Sequence, residues 1–328
     1  MTDMNETNLS HALPGQERYV APLEETPLKD VDSVDESAPA SSLWADAWRT
    51  LRKNPMFIIS AVLIVFIIFV ALFPGVMTKQ NPNYCTLENS LEPASKGHPF
   101  GFDLQGCDVY SRVVHGTRTS LSVGVFATVL VVLLGTLIGA LSGFFGGWVD
   151  IVLQRITEIV ACLPFLPMAM ILTSIIGNSM TESARIALIM VILGILSWPS
   201  LARLVRAQVL AEREQEFVTA ANAMGVKRSV IVFKHIIPNV ISVIIVSATL
   251  DFAYCMLTES TLSFLGFGVK LPRPTWGNML NGCVSSVVIQ NYWWRWVFPA
   301  IMLGICVICI NMVGDGLRDA IDPKSNER

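Results

Sequence analysis

The chain has 328 residues, 52% of them hydrophobic and only 15% charged, with a mean hydropathy of +0.55. Soluble domains carry about 25% charged residues, so a wholly soluble protein is excluded and much of the chain belongs in lipid. The net charge of −3 is silent on nucleic acid, which is not among the expected partners.

Residues 1–48 hold ten Asp or Glu against two Lys or Arg, with scattered prolines and no apolar periodicity. Such a segment cannot bury enough apolar surface to fold, and a disordered acidic cytoplasmic tail is expected. It lacks the basic-then-apolar start of a secretory signal. Six spans follow: Met56 to Phe73, Thr119 to Trp148, Ile159 to Met180, Ile186 to Ala202, Pro238 to Thr258 and Trp296 to Gly314. Each approaches the roughly 17–25 residues that cross a hydrocarbon core. The predicted fold is therefore an all-α membrane protein of six transmembrane helices. Residues 49–118 hold the first span and an extracellular loop, residues 119–323 the core domain, and residues 324–328 a short tail.

Arg49, Arg52 and Lys53 stand just before the first span, which places both termini in the cytoplasm by the positive-inside rule. The loop 203–237 then falls on the same side and is rich in Lys and Arg. Gly135, Gly139 and Gly143 recur at the four-residue spacing that lets two membrane helices approach closely; their partner could lie within this chain or on another. Pro164, Pro167 and Pro199 interrupt the helical ladder of the third and fourth spans. They fit either a broken helix lining a transport path or a simple kink.

Within loop 203–237, Phe217, Ala220, Ala221 and Met224 fall at i, i+3, i+4 and i+7, giving a short helix one apolar face. Gly225 is placed to end that helix, and Pro238 opens the next span. An amphipathic helix in a loop either lies on lipid headgroups or is a docking element.

The loop resembles the EAA loop of ABC-importer permeases. Ala220, Ala221, Gly225 and Pro238 match it, Ile237 takes its leucine position, and Thr219 and His235 replace its glutamate and isoleucine. Those departures are similar to the peptide/nickel branch. Three further stretches resemble that branch: HPFGFDLQGCDVYSRVVHGTRTSL from His98, GFFGGWVDIVLQR from Gly143 and ESTLSFLGFGVKLPRPTWG from Glu259. So does the ending NMVGDGLRDAIDP from Asn311 to Pro323, and the likeness spans about Leu43 to Pro323. Within the family the chain looks most like the second of two permease subunits.

The resemblance implies a type I ABC-importer permease fold whose cytoplasmic coupling helix enters a groove on an ATPase. Phe217, Ala220, Ala221, Met224, Gly225 and Pro238 would carry that contact. It also implies a second homologous permease, one or two cytoplasmic ATPase subunits, an extracellular solute-binding protein and a peptide cargo, all at the cell membrane. This chain has no Gly-x-x-x-x-Gly-Lys-Ser/Thr loop to cradle phosphate. It is expected to be non-catalytic and to bind no cofactor, leaving ATP and Mg to the ATPases. The alternatives are a permease for nickel or another small solute, and a self-contained channel or secondary transporter.

Asp251 lies inside the fifth span, where a carboxylate is costly unless it meets protein or water. It can line the translocation pathway or hydrogen-bond to Ser, Thr or Tyr254 nearby. Glu259 and Asp315, at span ends, suit structural roles, and Glu158 an interfacial one near Arg155. Cys85 and Cys107 both fall in the first outer loop, a compartment that permits disulfides, and Cys107 stands where the family usually shows arginine. They are either bonded or two free thiols. Cys162, Cys255, Cys306 and Cys309 suit apolar packing. His11, His98, His115 and His235 are scattered and form no metal pattern.

Overall fold

A computed structural model describes residues 48–177 and 179–321. Apart from Trp48, the acidic tail lies outside the described residues, as does the 324–328 tail. All regular structure among the described residues is helical; strand pairing is limited to isolated bridges such as Cys85 with Cys107.

Helix α1 (Pro55–Leu72) starts where the Asn54 side chain accepts from the N–H groups of Met56 and Phe57, with proline in its first turn. Apart from Ser60, which is buried against Met312, its side chains are apolar and largely exposed, as a lipid-facing helix requires. Helix α2 (Val109–Phe145) is capped by Asp108, whose carboxylate accepts from Ser111 N at 2.7 Å. Helices α3 (Gly147–Cys162) and α4 (Phe165–Gly177) follow, then α5 (Glu182–Arg213), capped by Thr181, and the short α6 (Glu216–Ala223). Helix α7 (Ile237–Phe264) is entered through a π-helical turn at Ile231–Ile236. An α-helix continued there would drive the Pro238 ring toward the carbonyl of Lys234, and a wider turn relieves that contact. Helices α8 (Trp276–Asn281) and α9 (Trp294–Ile321) complete the fold.

Five of these helices are long and apolar enough to cross a membrane, and α3 with α4 makes a sixth crossing only as a pair bent by 81°. Of the two readings open for the third span over Ile159 to Met180, a broken helix or a simple kink, the structure forms the broken one. The cause is local: Pro164 offers no N–H, and the residue before a proline is driven out of the helical region. Leu163 accordingly lies at φ −68°, ψ 129°. Pro199, by contrast, sits inside an α5 that continues through it. Helix α5 also runs well past both ends of the expected span.

The glycine stripe of α2 packs within this chain, against α5. A Cβ at Gly135 would lie 2.9 Å from Leu201, one at Gly139 2.5 Å from the Ala202 carbonyl oxygen, and one at Gly143 2.9 Å from the Arg206 carbonyl oxygen. In lipid, where apolar burial gives little drive, such close backbone approach supplies the dispersion contacts that hold helices together. Val123, Ala127 and Val131 of α2 and Leu193, Leu201 and Val205 of α5 extend this core. A second cluster joins α1, α7, α8 and α9 through Ile67, Met256, Trp276 and Cys306. Gly139→Val is expected to lower stability by about 1–3 kcal/mol through overpacking. Gly304→Ala, where a Cβ meets nothing within 4 Å, should be neutral. Thermal unfolding of both variants in nanodiscs checks the contrast; equal midpoints would refute the packing role.

Two ends can be distinguished. Phe57 of α1 meets Gly316 of α9, and Arg213 of α5 reaches the Phe144 carbonyl of α2 at 3.2 Å. This end carries α6. The opposite end carries segments 77–108 and 265–293.

Candidate coupling interface and membrane-embedded site

Helix α6 ends in a paired backbone closure. Gly225 N–H donates to Asn222 O at 3.0 Å and Val226 N–H to Ala221 O at 3.1 Å. This needs a left-handed residue after the helix, and Gly225 supplies φ +75°. Val226 then packs on the main core. The six residues expected to carry coupling do not share one outward face. Val218 and Ala221 are buried in the core with Val209, Ile231 and Val232. Phe217, Ala220 and Met224 point outward, Met224 with 76% of its surface exposed. At 100° per residue, positions 217, 220 and 224 fall within an arc of about 60°, with 221 flanking it and 218 beyond, so the buried side begins at the edge of the outward stripe. Ala221 is buried and roots the helix, while Phe217, Ala220 and Met224 form its exposed face. Gly225 shapes the loop, and Pro238 is exposed at the start of α7.

Beside α6 opens a polar cleft of about 580 Å³ between Phe144, Phe145, Arg213, Asn222, Val226 and Arg228. The apolar outer face of α6 thus sits next to two guanidinium groups.

Below this surface, α2, α3 and α5 are joined by a charged clamp. Arg206 Nε donates to Asp150 Oδ1 at 2.7 Å and Nη2 to Oδ2 at 2.6 Å, the planar fork on a carboxylate. Ser142 donates to the same carboxylate, and Gln154 Nε2 donates to Ser142 Oγ at 2.9 Å. Asp150 belongs to the segment from Gly143 singled out by its motif. Its partner was not legible, because Arg206 looked like one more basic loop residue. Arg155 and Glu158 form an exposed pair at 2.7 Å.

Asp251 lies partly buried on α7. Its Oδ2 is shielded from solvent and meets no hydrogen-bond partner among the described residues. The Ser, Thr or Tyr254 partner that one reading required is not formed by that oxygen; Tyr254 instead presses its ring near Phe165, centroids 6.2 Å apart.

At the opposite end, Glu259 is 1% exposed and accepts from Ser263 Oγ at 2.6 Å and Ser260 Oγ at 3.4 Å. Ser263 Oγ also accepts from Val269 N at 3.1 Å. The segment from Glu259 thereby folds back on itself, and Arg185 of α5 ties into it, Nε to the Gly268 carbonyl at 3.0 Å. Trp276 donates from Nε1 to the Val113 carbonyl at 3.2 Å, joining α8 to α2. Segment 77–108 forms a cap in which Cys85 and Cys107 are disulfide-bonded, 22 residues apart in sequence. The cap is pinned to α9 by Phe100 stacked on Phe298, centroids 3.6 Å apart, and by Trp294 Nε1 donating to the Phe102 carbonyl at 3.1 Å. Trp294, at the start of α9, is therefore an anchor for this cap. Cys255, Cys306 and Cys309 are buried, whereas Cys162 is exposed.

Residues 135–327 match the family described as the binding-protein-dependent transport system inner membrane component. Residues 42–94 match the N-terminal transmembrane domain of oligopeptide transport permease C. The dipeptide transport system permease protein DppC of Alkalihalophilus pseudofirmus is 38% identical over 91% of this chain and 96% of that protein. The oligopeptide transport system permease protein OppC of Bacillus subtilis is 37% identical over 89% of this chain and 93% of its own length. The OppC protein of Haemophilus influenzae is 38% identical over 86% of this chain and 89% of its own.

Proposed function

Because the chain belongs to the inner membrane components of binding-protein-dependent transport systems, we propose that it is the second permease subunit of an ATP-driven importer of di- or oligopeptides. It pairs with a homologous permease, and one or two ATPase subunits dock at α6. A solute-binding protein delivers cargo to the opposite end, which faces outside, so both termini are cytoplasmic. ATP and Mg act on the ATPases, and this chain contributes no catalytic group. The observation that carries the reading is a short helix rooted in the core by Val218 and Ala221 that offers Phe217, Ala220 and Met224 to a partner.

The geometry suggests how force would enter. A push on α6 reaches α5 and the π turn directly, because Val218 and Ala221 share a core with Val209 and Ile231. The bend at Pro164 lets α3 and α4 change their mutual angle while the clamped helices stay together. Such rigid-body rocking exposes the central path to alternate sides.

Affinity isolation from native membranes in mild detergent tests this. Recovery of a second permease together with ATPase subunits is the expected result. Recovery of this chain alone, still moving solute in vesicles without ATP, would overturn it. Asp251 is the residue proposed to face the path. Asp251→Asn is expected to slow transport of peptides with a positive charge several-fold relative to neutral ones, since the buried Oδ2 meets no hydrogen-bond partner among the described residues. Equal changes for both cargo types in a proteoliposome uptake assay would remove Asp251 from the path.

A further inference from the structure

Two arginines at the end of the bundle remote from α6 are buried without adequate acceptors. Arg112, in the first turns of α2, is 4% exposed, and Arg295, in the first turn of α9, is 6% exposed. Arg112 directs Nη1 to Asp103 Oδ2 at 2.9 Å and to the Cys107 sulfur at 3.2 Å, but its Nε has no partner. Among the described residues Arg295 directs Nη2 to the Gly282 carbonyl at 3.5 Å, and its Nε is also unpartnered. Each guanidinium carries five N–H donors, so both side chains keep a buried Nε donor without an acceptor. A cation withdrawn from water with so little compensation is destabilising unless an anion meets it.

Both side chains line one cavity of about 240 Å³, together with Asp103, Gln105, Asn278 and Asn281. Cys283 reports the same convergence. Burial pushes its thiol up, the charge of Arg295 opposes that shift, and the charge of Asp103 adds to it. Both charges therefore act on one sulfur. Two guanidinium groups against one carboxylate leave the cavity with an excess positive charge. Its volume is below the roughly 300–1,000 Å³ typical of sites that enclose a whole ligand, so a small anionic head group suits it better than an entire peptide.

We propose that this cavity, walled by the disulfide-bonded cap, the 271–282 segment and the start of α9, binds a small carboxylate through Arg295 and Arg112. Planar guanidinium forks match the two oxygens of a carboxylate, and the side-chain amides of Asn278 and Asn281 brace the same wall by donating to the Val269, Arg273 and Phe264 carbonyls. The carboxylate can belong to a free organic acid or to the C-terminus of a dipeptide.

The full chain in nanodiscs is titrated, at fixed ionic strength, with acetate, acetamide, glycylglycine and glycylglycinamide, and the thermal midpoint is followed. Acetate is expected to raise the midpoint saturably and acetamide to leave it unchanged. A response to glycylglycine at ten-fold or more lower concentration than acetate, absent for its amide, assigns the peptide terminus; a response to acetate alone assigns the free acid. Arg295→Gln should weaken the acetate response at least ten-fold and Arg295→Lys less. Should Arg295→Gln fold poorly, Gln105→Glu, at an exposed position on the cavity wall, should weaken it as well by adding a competing carboxylate. Equal responses to acetate and acetamide, or an acetate response untouched in these variants, would overturn the site.

Discussion

Met224→Asp is expected to reduce ATPase association by about 100-fold or more while leaving the permease folded. Met224 is 76% exposed on the outer face of α6, so the free chain tolerates a carboxylate there. Docked in an apolar groove, the same carboxylate is desolvated without a partner, and a loss of about 2.7 kcal/mol already corresponds to 100-fold in affinity. Ala221→Asp should fail differently. It places the carboxylate among Val209, Val218 and Ile231, so the loop itself is destabilised and the thermal midpoint of the permease falls. Co-isolation and thermal unfolding, measured side by side, separate the two effects. Normal ATP-driven uptake by Met224→Asp would remove α6 from the docking surface.

The second large effect is expected at the Asp150–Arg206 clamp. Removing one member of a fully buried pair costs about 3–5 kcal/mol because the other charge is stranded. Here the side chains keep 19% and 32% exposure, so Arg206→Met should cost less, about 2–3 kcal/mol. Arg206→Lys retains the charge but loses the two-pronged geometry, and about 1–2 kcal/mol should go with it. The Asp150→Asn/Arg206→Met double variant should be more stable than the sum of the single losses predicts, since neither charge is left stranded. Strict additivity in nanodisc unfolding would show that the pair does not act as a unit.

The number of crossings and the position of the loop helix were legible, because long uncharged runs and Gly and Pro punctuation depend on local physics alone. Helix ends were not. Helix α2 starts at Val109, ten residues before its uncharged run, since Arg112, His115 and Arg118 occupy helical turns that leave the lipid for the cap. Helix α5 carries Arg203, Arg206 and Arg213 beyond its apolar stretch for the same reason. Hydropathy marks where lipid ends, whereas the backbone ladder continues until a cap or turn stops it. The facing of α6 needed its tertiary neighbours: four apolar residues at helical spacing suggest a single stripe, and only the core shows that Ala221 turns inward and Met224 outward. Arg206 stands 56 residues from Asp150 in sequence. Arg112 and Arg295 are farther apart still, and no local pattern announces either meeting.

Helix α5 is anchored at both ends, by α6 at one and by the hold of Arg185 on the Gly268 carbonyl at the other. Its 32 residues make a beam about 48 Å long, stiffened along its length by the close seam with α2. A tilt of about 5° imposed at the docking end would carry the far end sideways by about 4 Å over that length. Mechanical work delivered on one side of the membrane is then felt across it as a displacement larger than a water molecule, without any residue in between changing its conformation.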